Sequence, residues 1–375
     1  MLNAAPTAQV PRGTRESPLD VAAVAPIAAR WAARAEEERM LTAEVAGALS
    51  RAGFARHFVP ERWGGAAGTF GRLLDASAEL AGSCASTAWC ATLFAAHGRL
   101  AAYLPEEGRR DLWGTSPDVR VAAAVVPPSG SAVAVEDGWR LDGSWGYASG
   151  VAHADWVLLG SWTPGAVEGT RDHRVFAVPR ADVEVRHTWR SLGLRGTGSD
   201  TVTADGVFVP AHRSFTVADL ATPLPGAARC HSVPYPMVAA LMFAAPALGA
   251  ARAARSAWMA HVPGRSPRHL RAFAAASSEI RSAGLLLADV ARRADGGEPV
   301  TPLAAAECRR DATAAAALCA RAVDGLFRAA GASGLMDDHP VRRPWQDVLA
   351  VTAHAALDPE TAAEDYARLA LGTPA

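Results

Sequence analysis

The chain has 375 residues, half of them hydrophobic, and a formal net charge of −1, which is ample for a multi-layer fold with a large core and leaves no basic field to gather nucleic acid. All 37 basic side chains are arginines, so Schiff-base lysine chemistry and a P-loop lysine are excluded, and any phosphate must be held by guanidinium or backbone N–H groups. The five cysteines (Cys84, Cys90, Cys230, Cys308 and Cys319) have no CxxC spacing; they read as small buried hydrophobes in a reducing, cytoplasmic compartment, with no metal site expected.

In chain order, residues 1–17 lack the apolar core of a secretory signal and read as a disordered N-terminus. Residues 18–118 read as a helical domain. "LDVAAVAPIAARWAARAEEERMLTAEVAGALSRAGF" carries apolar residues at three- and four-residue spacing, with Gly53 placed to stop the second helix. A Gly-rich loop, "VPERWGGAAG", precedes two further helices. Residues 119–218 change character: "VRVAAAVV", "DWVLLGSW", "HRVFAVPRADVEVR" and "DTVTADGVFVP" are short strand-like segments divided by turn residues. "VEDGWRL" predicts a hairpin turning at Asp137-Gly138. Residues 219–375 return to Ala-rich helical patterns long enough for a bundle. The apolar run "VAALMFAAPALGAA" is too short to span a bilayer and contains a proline, so no membrane partner is expected. Helices, then strands, then helices predict segregated α+β layers. No GxGxxG follows a first strand, which removes support for a Rossmann site.

Three stretches carry a resemblance. "SLGLRGTGSDTVTADGVFVP" (residues 191–210), "FVPERWGGAAGTFGRLLDASAELAGSCASTAW" and "AAGASGLMDDHPVRRPWQD" occur in the order in which the acyl-CoA dehydrogenase superfamily keeps similar segments. The resemblance implies an acyl-CoA dehydrogenase-like α+β fold: an N-terminal helical domain, a central β-barrel or sandwich, and a C-terminal four-helix bundle, with a flavin between the last two. It also implies a homotetramer, a dimer of dimers.

A flavin needs flat apolar walls, hydroxyl or backbone groups at N5 and the pyrimidine edge, and charge near its phosphate. In "GSWGYASG", strand alternation would place Trp145, Tyr147 and Ser149 on one face. In the resembling family this tryptophan lies near the flavin and a threonine two residues on donates to N5; here Ser149 is the candidate donor to the N5 or peroxide region. An aromatic strand face packed on the bundle is the alternative. Arg195, Thr197 and Ser199 in "RGTGSD" are candidates for ribityl or phosphate oxygens, or else form a polar turn. Ser131 matches a family serine that contacts the cofactor or thioester. Arg265, Arg268 and Arg271 are candidates for the phosphate, although the family's Phe-Gly is absent there, and Arg328 stands where a cofactor-contacting glutamine is common.

A dehydrogenase also needs a carboxylate base. Counting from Asp347, the family's catalytic glutamate falls on Ala355 and the tyrosine before it on His354. Glu279 is the remaining bundle carboxylate weighed for the role; it reads as an exposed or ion-paired residue. Loss of the carboxylate with the scaffold kept is similar to the flavin-dependent monooxygenase branch. Such oxygenases take reduced flavin, FMNH2 or FADH2, from a separate NAD(P)H-dependent flavin reductase and react through a C4a-hydroperoxide with O2. The expected substrate is an electron-rich small molecule, aromatic or polyketide-type, in secondary metabolism. Alternatives are N-oxygenation of an amine by the same chemistry, an FAD-dependent acyl-CoA dehydrogenase or desaturase, and a flavin-free binding relative. A helix continuing through this stretch would align Asp347, Ala350, Val351 and His354, making His354 the candidate base; a satisfied core histidine is the alternative. Trp89, His97 and Ala355 are candidates to line the substrate pocket.

Overall fold

A computed structural model of the chain describes residues 19–165, 167, 169–224, 226–261 and 266–373; the segment 1–17 and Arg265 fall outside them. The N-terminal helices begin where a side chain can close the first turn. Asp20 accepts from Ala23 N–H at α1 (Val21–Glu38), Thr42 from Val45 at α2 (Ala43–Arg51) and Thr69 from Arg72 at α3 (Phe70–Ala81). Gly53, with φ +85°, ends the turn after α2 as predicted. In α4 (Ala85–Ala101) every residue is buried, so this helix is wrapped by protein on all sides. α5 (Glu106–Trp113) leads into the strands.

The strands form two four-stranded sheets. One runs β1 (Val121–Ala124), β4 (Trp156–Pro164), β5 (Arg171–Pro179), β8 (Ser214–Thr216); the other runs β2 (Ser131–Val135), β3 (Gly138–Ala148), β7 (Asp200–Pro210), β6 (Glu184–Arg186). Among the described residues only the β1–β4 pair is parallel. The predicted hairpin forms one residue early: Asp137 takes φ +60° and Gly138 already pairs with Val135. Leu141, Trp145, Val157, Leu159, Phe176, Val178 and Val202 fill the space between the sheets.

After the short α6 (Arg229–Ser232), the bundle is built from α7 (Tyr235–His261), α8 (Pro267–Asp295) and α9 (Pro302–Ala330), closed by α10 (Arg342–Thr352) and α11 (Pro359–Leu371). Small residues let these helices approach closely: a Cβ on Gly249 of α7 would lie 2.0 Å from the Ala78 carbonyl of α3. α7 is long and apolar enough to cross a membrane by length and composition, longer than the run read from the sequence, but 89% of its most apolar window is buried inside the protein. It is the bundle's core helix.

Asp295, at the end of α8, ties the bundle to the N-terminal helices. Its carboxylate accepts from Phe70 N–H and Gly71 N–H, both at 2.8 Å, supplying an anion to the first turn of α3. Asp295→Ala is expected to cost about 1–3 kcal/mol in urea denaturation, because it orphans two N–H groups. An unchanged midpoint would show that Thr69 and water suffice there.

Candidate functional site

The site is assembled where α4, the end of β3, the 191–199 loop and the α10–α11 junction meet. β3 does not keep its alternation. Its register against β7 shifts between Trp145 and Ala148, and Tyr147 adopts φ +65°, an unusual backbone for an aromatic residue. The bulge turns Ser149 toward α4, where its hydroxyl accepts the Trp89 Nε1–H at 3.0 Å. A row of hydroxyls continues from there: Ser149 Oγ lies 2.7 Å from Ser199 Oγ, which lies 2.7 Å from Thr197 Oγ1. Thr197 in turn donates to the Leu194 carbonyl at 2.9 Å.

The loop carrying Thr197 and Ser199 is clamped from two sides. Gly196 N–H donates to Ser86 Oγ of α4 at 3.2 Å, and Leu194 N–H donates to Asp347 Oδ1 of α10 at 2.6 Å. Gly193 lies so close to α10 that a Cβ there would sit 1.9 Å from the Gln346 carbonyl oxygen. Burial pushes the Asp347 carboxyl up to about 6 against the opposing pull of Arg343 and the Leu194 N–H.

α10 stops at Thr352, so His354 is not on its face. Instead it caps a short 3-10 turn, Ala355–Leu357, and the predicted alignment of Asp347, Ala350, Val351 and His354 does not form. Thr352 bonds back to the carbonyls of Val348 and Leu349 at 3.0 and 3.2 Å, and Asp358-Pro359 opens α11 immediately after. The His354 ring stacks on Phe243 of α7 (3.9 Å between centroids, 23°) and meets the edge of Trp89 at 5.7 Å. Trp89 and Phe243 are 5.6 Å apart, completing a three-ring corner.

Hydrogen-bond bookkeeping fixes the tautomers. An amide can only donate, so His354 Nδ1, 3.1 Å from Ala356 N, is an acceptor, and the neutral ring carries its proton on Nε2. His97, also on α4, is the opposite. Its Nδ1 lies 2.9 Å from the Val121 carbonyl, which can only accept, so Nδ1 bears the proton and Nε2 presents a lone pair. Burial holds both imidazoles down to about 4, and His97 is also lowered by the charge of His354. At neutral pH the pair therefore offers one N–H donor and one bare nitrogen.

His57 and His231 are likewise held at about 4 by burial. Unfolded imidazoles titrate near 6.5, so between about pH 6.5 and 4 the unfolded chain binds more protons, and stability falls as pH falls through that window. Asp347 has the opposite sign: its raised value stabilises at low pH, and that contribution is lost as pH rises through about 6. The histidines outnumber it. The urea midpoint should drop steadily from pH 6.5 to 4.5, and less steeply in His231→Gln; a flat profile would contradict the burial of these rings.

Of the residues predicted from sequence, Trp89, Ser149, Thr197, Ser199 and His354 are joined by the contacts above, and His97 on the same helix as Trp89 lies near enough to His354 to feel its charge. Trp145 is a correction: it is 1% exposed in the core between the sheets, donating to the Gly160 carbonyl at 2.8 Å, because the bulge separates it from Ser149. Tyr147 points away too, 70% exposed, with its ring edge-on to Trp189 at 6.4 Å. Ser131 is exposed on β2 and donates to the Asp142 carbonyl at 3.4 Å. Arg195 is half-buried, and its Nε is buried without a partner. Arg271 is exposed on α8, Arg328 is ion-paired with Asp324 in its own helix, and Arg268 donates to the Arg328 carbonyl. Ala355 is exposed beside His354. Glu279 pairs with Arg321, as one of its two readings expected. Sequence reasoning missed Phe243, an aromatic inside an Ala/Leu run with nothing to mark it, and the clamps made by Ser86 and Asp347. Among the described residues no cluster of three His, Cys, Asp or Glu is arranged to hold a metal.

Residues 241–359 match the family model described as acyl-CoA dehydrogenase, C-terminal domain. The chain is 32% identical to the oxygenase component of FADH(2)-dependent resorcinol hydroxylase from Rhizobium sp. (strain MTP-10005), covering 90% of each chain. It is 32% identical to the oxygenase subunit HsaA, a flavin-dependent monooxygenase, from Rhodococcus jostii (strain RHA1), covering 94% of this chain and 97% of that one. In structure it superposes on 3-HSA hydroxylase from Rhodococcus sp. RHA1 with a TM-score of 0.88 at 30% identity, covering 97% of this chain and 99% of the other. XiaF from Streptomyces sp., solved with FADH2 and glycerol, gives a TM-score of 0.86 at 26% identity over 94% of both chains. The chain thus belongs to the acyl-CoA dehydrogenase superfamily, in its branch of flavin-dependent monooxygenase oxygenase components.

Proposed function

We propose that this oxygenase component hydroxylates an electron-rich aromatic small molecule, using reduced flavin delivered by a separate NAD(P)H-dependent reductase. The observation that carries the aromatic reading is the pair of complementary neutral imidazoles, His97 and His354, beside an aromatic corner. Asp347 is engaged by Leu194 N–H, and Glu279, the carboxylate weighed as a dehydrogenase's base, is paired with Arg321. The residues fit a flavin: the hydroxyl row of Ser149, Ser199 and Thr197 offers polar contacts, and the orphaned Arg195 Nε–H supports a donor to a flavin oxygen. When bound, reduced flavin supplies two electrons and, with O2, an electrophilic oxygen atom.

The protein's own part is to make the substrate nucleophilic and to keep the site dry. His97 Nε2 accepts the phenolic proton, and His354 Nε2–H donates to the oxygen that loses it. A ring held near 4 is a weak base, but the anion forming beside it restores basicity at the moment of transfer. Trp89 and Phe243 wall the ring and exclude water. For assembly, a homotetramer is supported by the outer face of α8, where Leu270 and Leu285 are 55% and 61% exposed. Five free, buried cysteines support a reducing, cytoplasmic setting.

The test supplies photoreduced FAD or FMN, O2 and a panel of resorcinol, p-hydroxyphenylacetate and indole. Hydroxylated product from a phenol, in step with flavin oxidation, is the expected result. Tight oxidised FAD bleached by an acyl-CoA would favour the dehydrogenase instead.

A further inference from the structure

We propose that Trp89, Ser199 and Thr197 fix the proton direction of Ser149 so that the site prefers reduced flavin, whose N5 carries a hydrogen, over oxidised flavin, whose N5 is a bare lone pair. The inference rests on the reading that Ser149 faces N5.

The direction follows from the two ends of the row. The Trp89 indole can only donate, so it occupies one lone pair of Ser149 at 3.0 Å. The Leu194 carbonyl can only accept, and it takes the Thr197 hydroxyl hydrogen at 2.9 Å. Ser199, 2.7 Å from Thr197, must then give its hydrogen to Thr197, and Ser149, 2.7 Å from Ser199, must give its own to Ser199. Each hydroxyl has one hydrogen, and each is used. Ser149 is left with a lone pair and nothing to donate, the reverse of the donor that the family resemblance suggests. The Leu194 carbonyl also accepts from the Trp189 indole at 3.0 Å and from Thr197 N–H at 3.1 Å, so the polarity of the row rests on the close approach of the Thr197 hydroxyl to that oxygen, at 2.9 Å. Reversing the row to serve an N5 lone pair would leave Thr197 Oγ1 and the Leu194 oxygen facing each other 2.9 Å apart without a hydrogen.

One lost hydrogen bond of this kind corresponds to a preference of roughly 10- to 100-fold. A protein that receives reduced flavin from a partner and must release it oxidised gains from that bias, since the spent cofactor leaves and the fresh one binds.

The experiment measures dissociation constants of the full-length protein for oxidised FAD and, anaerobically, for reduced FAD, with FMN in parallel. Wild type is expected to bind the reduced form at least about tenfold more tightly. Thr197→Val removes the end of the row, freeing Ser199 to donate to Ser149 and Ser149 to donate to N5. The ratio should move toward the oxidised form by about tenfold, a fall of about 30 mV in the potential of bound flavin. Thr197→Ser should restore it. Ser199→Ala should move it the same way, and serves if Thr197→Val does not fold. A variant that only damaged the fold would weaken both forms equally and leave the ratio unchanged. Binding in both states with a ratio unmoved by Thr197→Val or Ser199→Ala overturns the polarity alone. Binding in neither state overturns it together with the flavin reading.

Discussion

His97→Gln is expected to lower coupled hydroxylation of a simple phenol by about 10²–10⁴-fold while flavin binding stays intact. Glutamine can still donate to the Val121 carbonyl, which His97 Nδ1–H reaches at 2.9 Å, so the helix–strand contact survives while the bare nitrogen is lost. The reducing equivalents should then leave as hydrogen peroxide. The loss should shrink for more acidic phenols, which arrive already ionised and need no base. A structural role would predict a loss independent of phenol acidity. The pH profile gives a second check. With His97 held at about 4 by burial, wild-type turnover should keep its base form down to about pH 5, and the acid limb should lie well below the 6.5 of a free imidazole. If His97→Gln hydroxylates as well as wild type, the base lies elsewhere.

Gly193→Ala is expected to cost on the order of 3 kcal/mol and to abolish flavin binding. The added Cβ would stand 1.9 Å from the Gln346 carbonyl oxygen and 2.7 Å from the Asp347 nitrogen. Both are helix backbone and cannot swing aside. To relieve the clash the 191–199 loop must lift from α10, breaking the 2.6 Å Leu194–Asp347 bond and stranding a buried carboxyl. Because Thr197 and Ser199 ride on this loop, the hydroxyl row would be misplaced with it. Gly297→Ala is the control: nothing lies within 4 Å of a Cβ there, and stability should be unchanged. Equal behaviour of the two variants in urea denaturation and flavin titration would contradict the clamp.

These two residues also show where the sequence was legible. The layering of helices, strands and helices follows from local periodicity, and Thr197 and Ser199 of "RGTGSD" are legible together because a short motif keeps neighbours together, whereas their contact with Ser149, 50 positions away, is not. The strand alternation that grouped Trp145 with Tyr147 and Ser149 failed at Gly146, inside a strand-like run, and a glycine there is the usual mark of a bulge. Similarly, the helical alignment of His354 failed because Asp358-Pro359 must open a new helix, so the preceding residues have to turn. What no local signal carries is the pairing of residues far apart. Leu194 and Asp347 are separated by 153 positions, and Asp347 looked like no more than a register mark. The tautomers of His97 and His354 were equally hidden, since each is set by a backbone group that only the folded chain brings near.

Flavin-dependent insertion of an oxygen atom from O2 into an aromatic substrate can be followed in a single turnover under isotopically labelled dioxygen. Anaerobically reduced FAD, excess protein and an accepted phenol are mixed with the labelled gas, and the product is weighed by mass spectrometry. One labelled oxygen atom is expected in each product molecule. Unlabelled product, or flavin oxidised without any hydroxylated phenol, would contradict it.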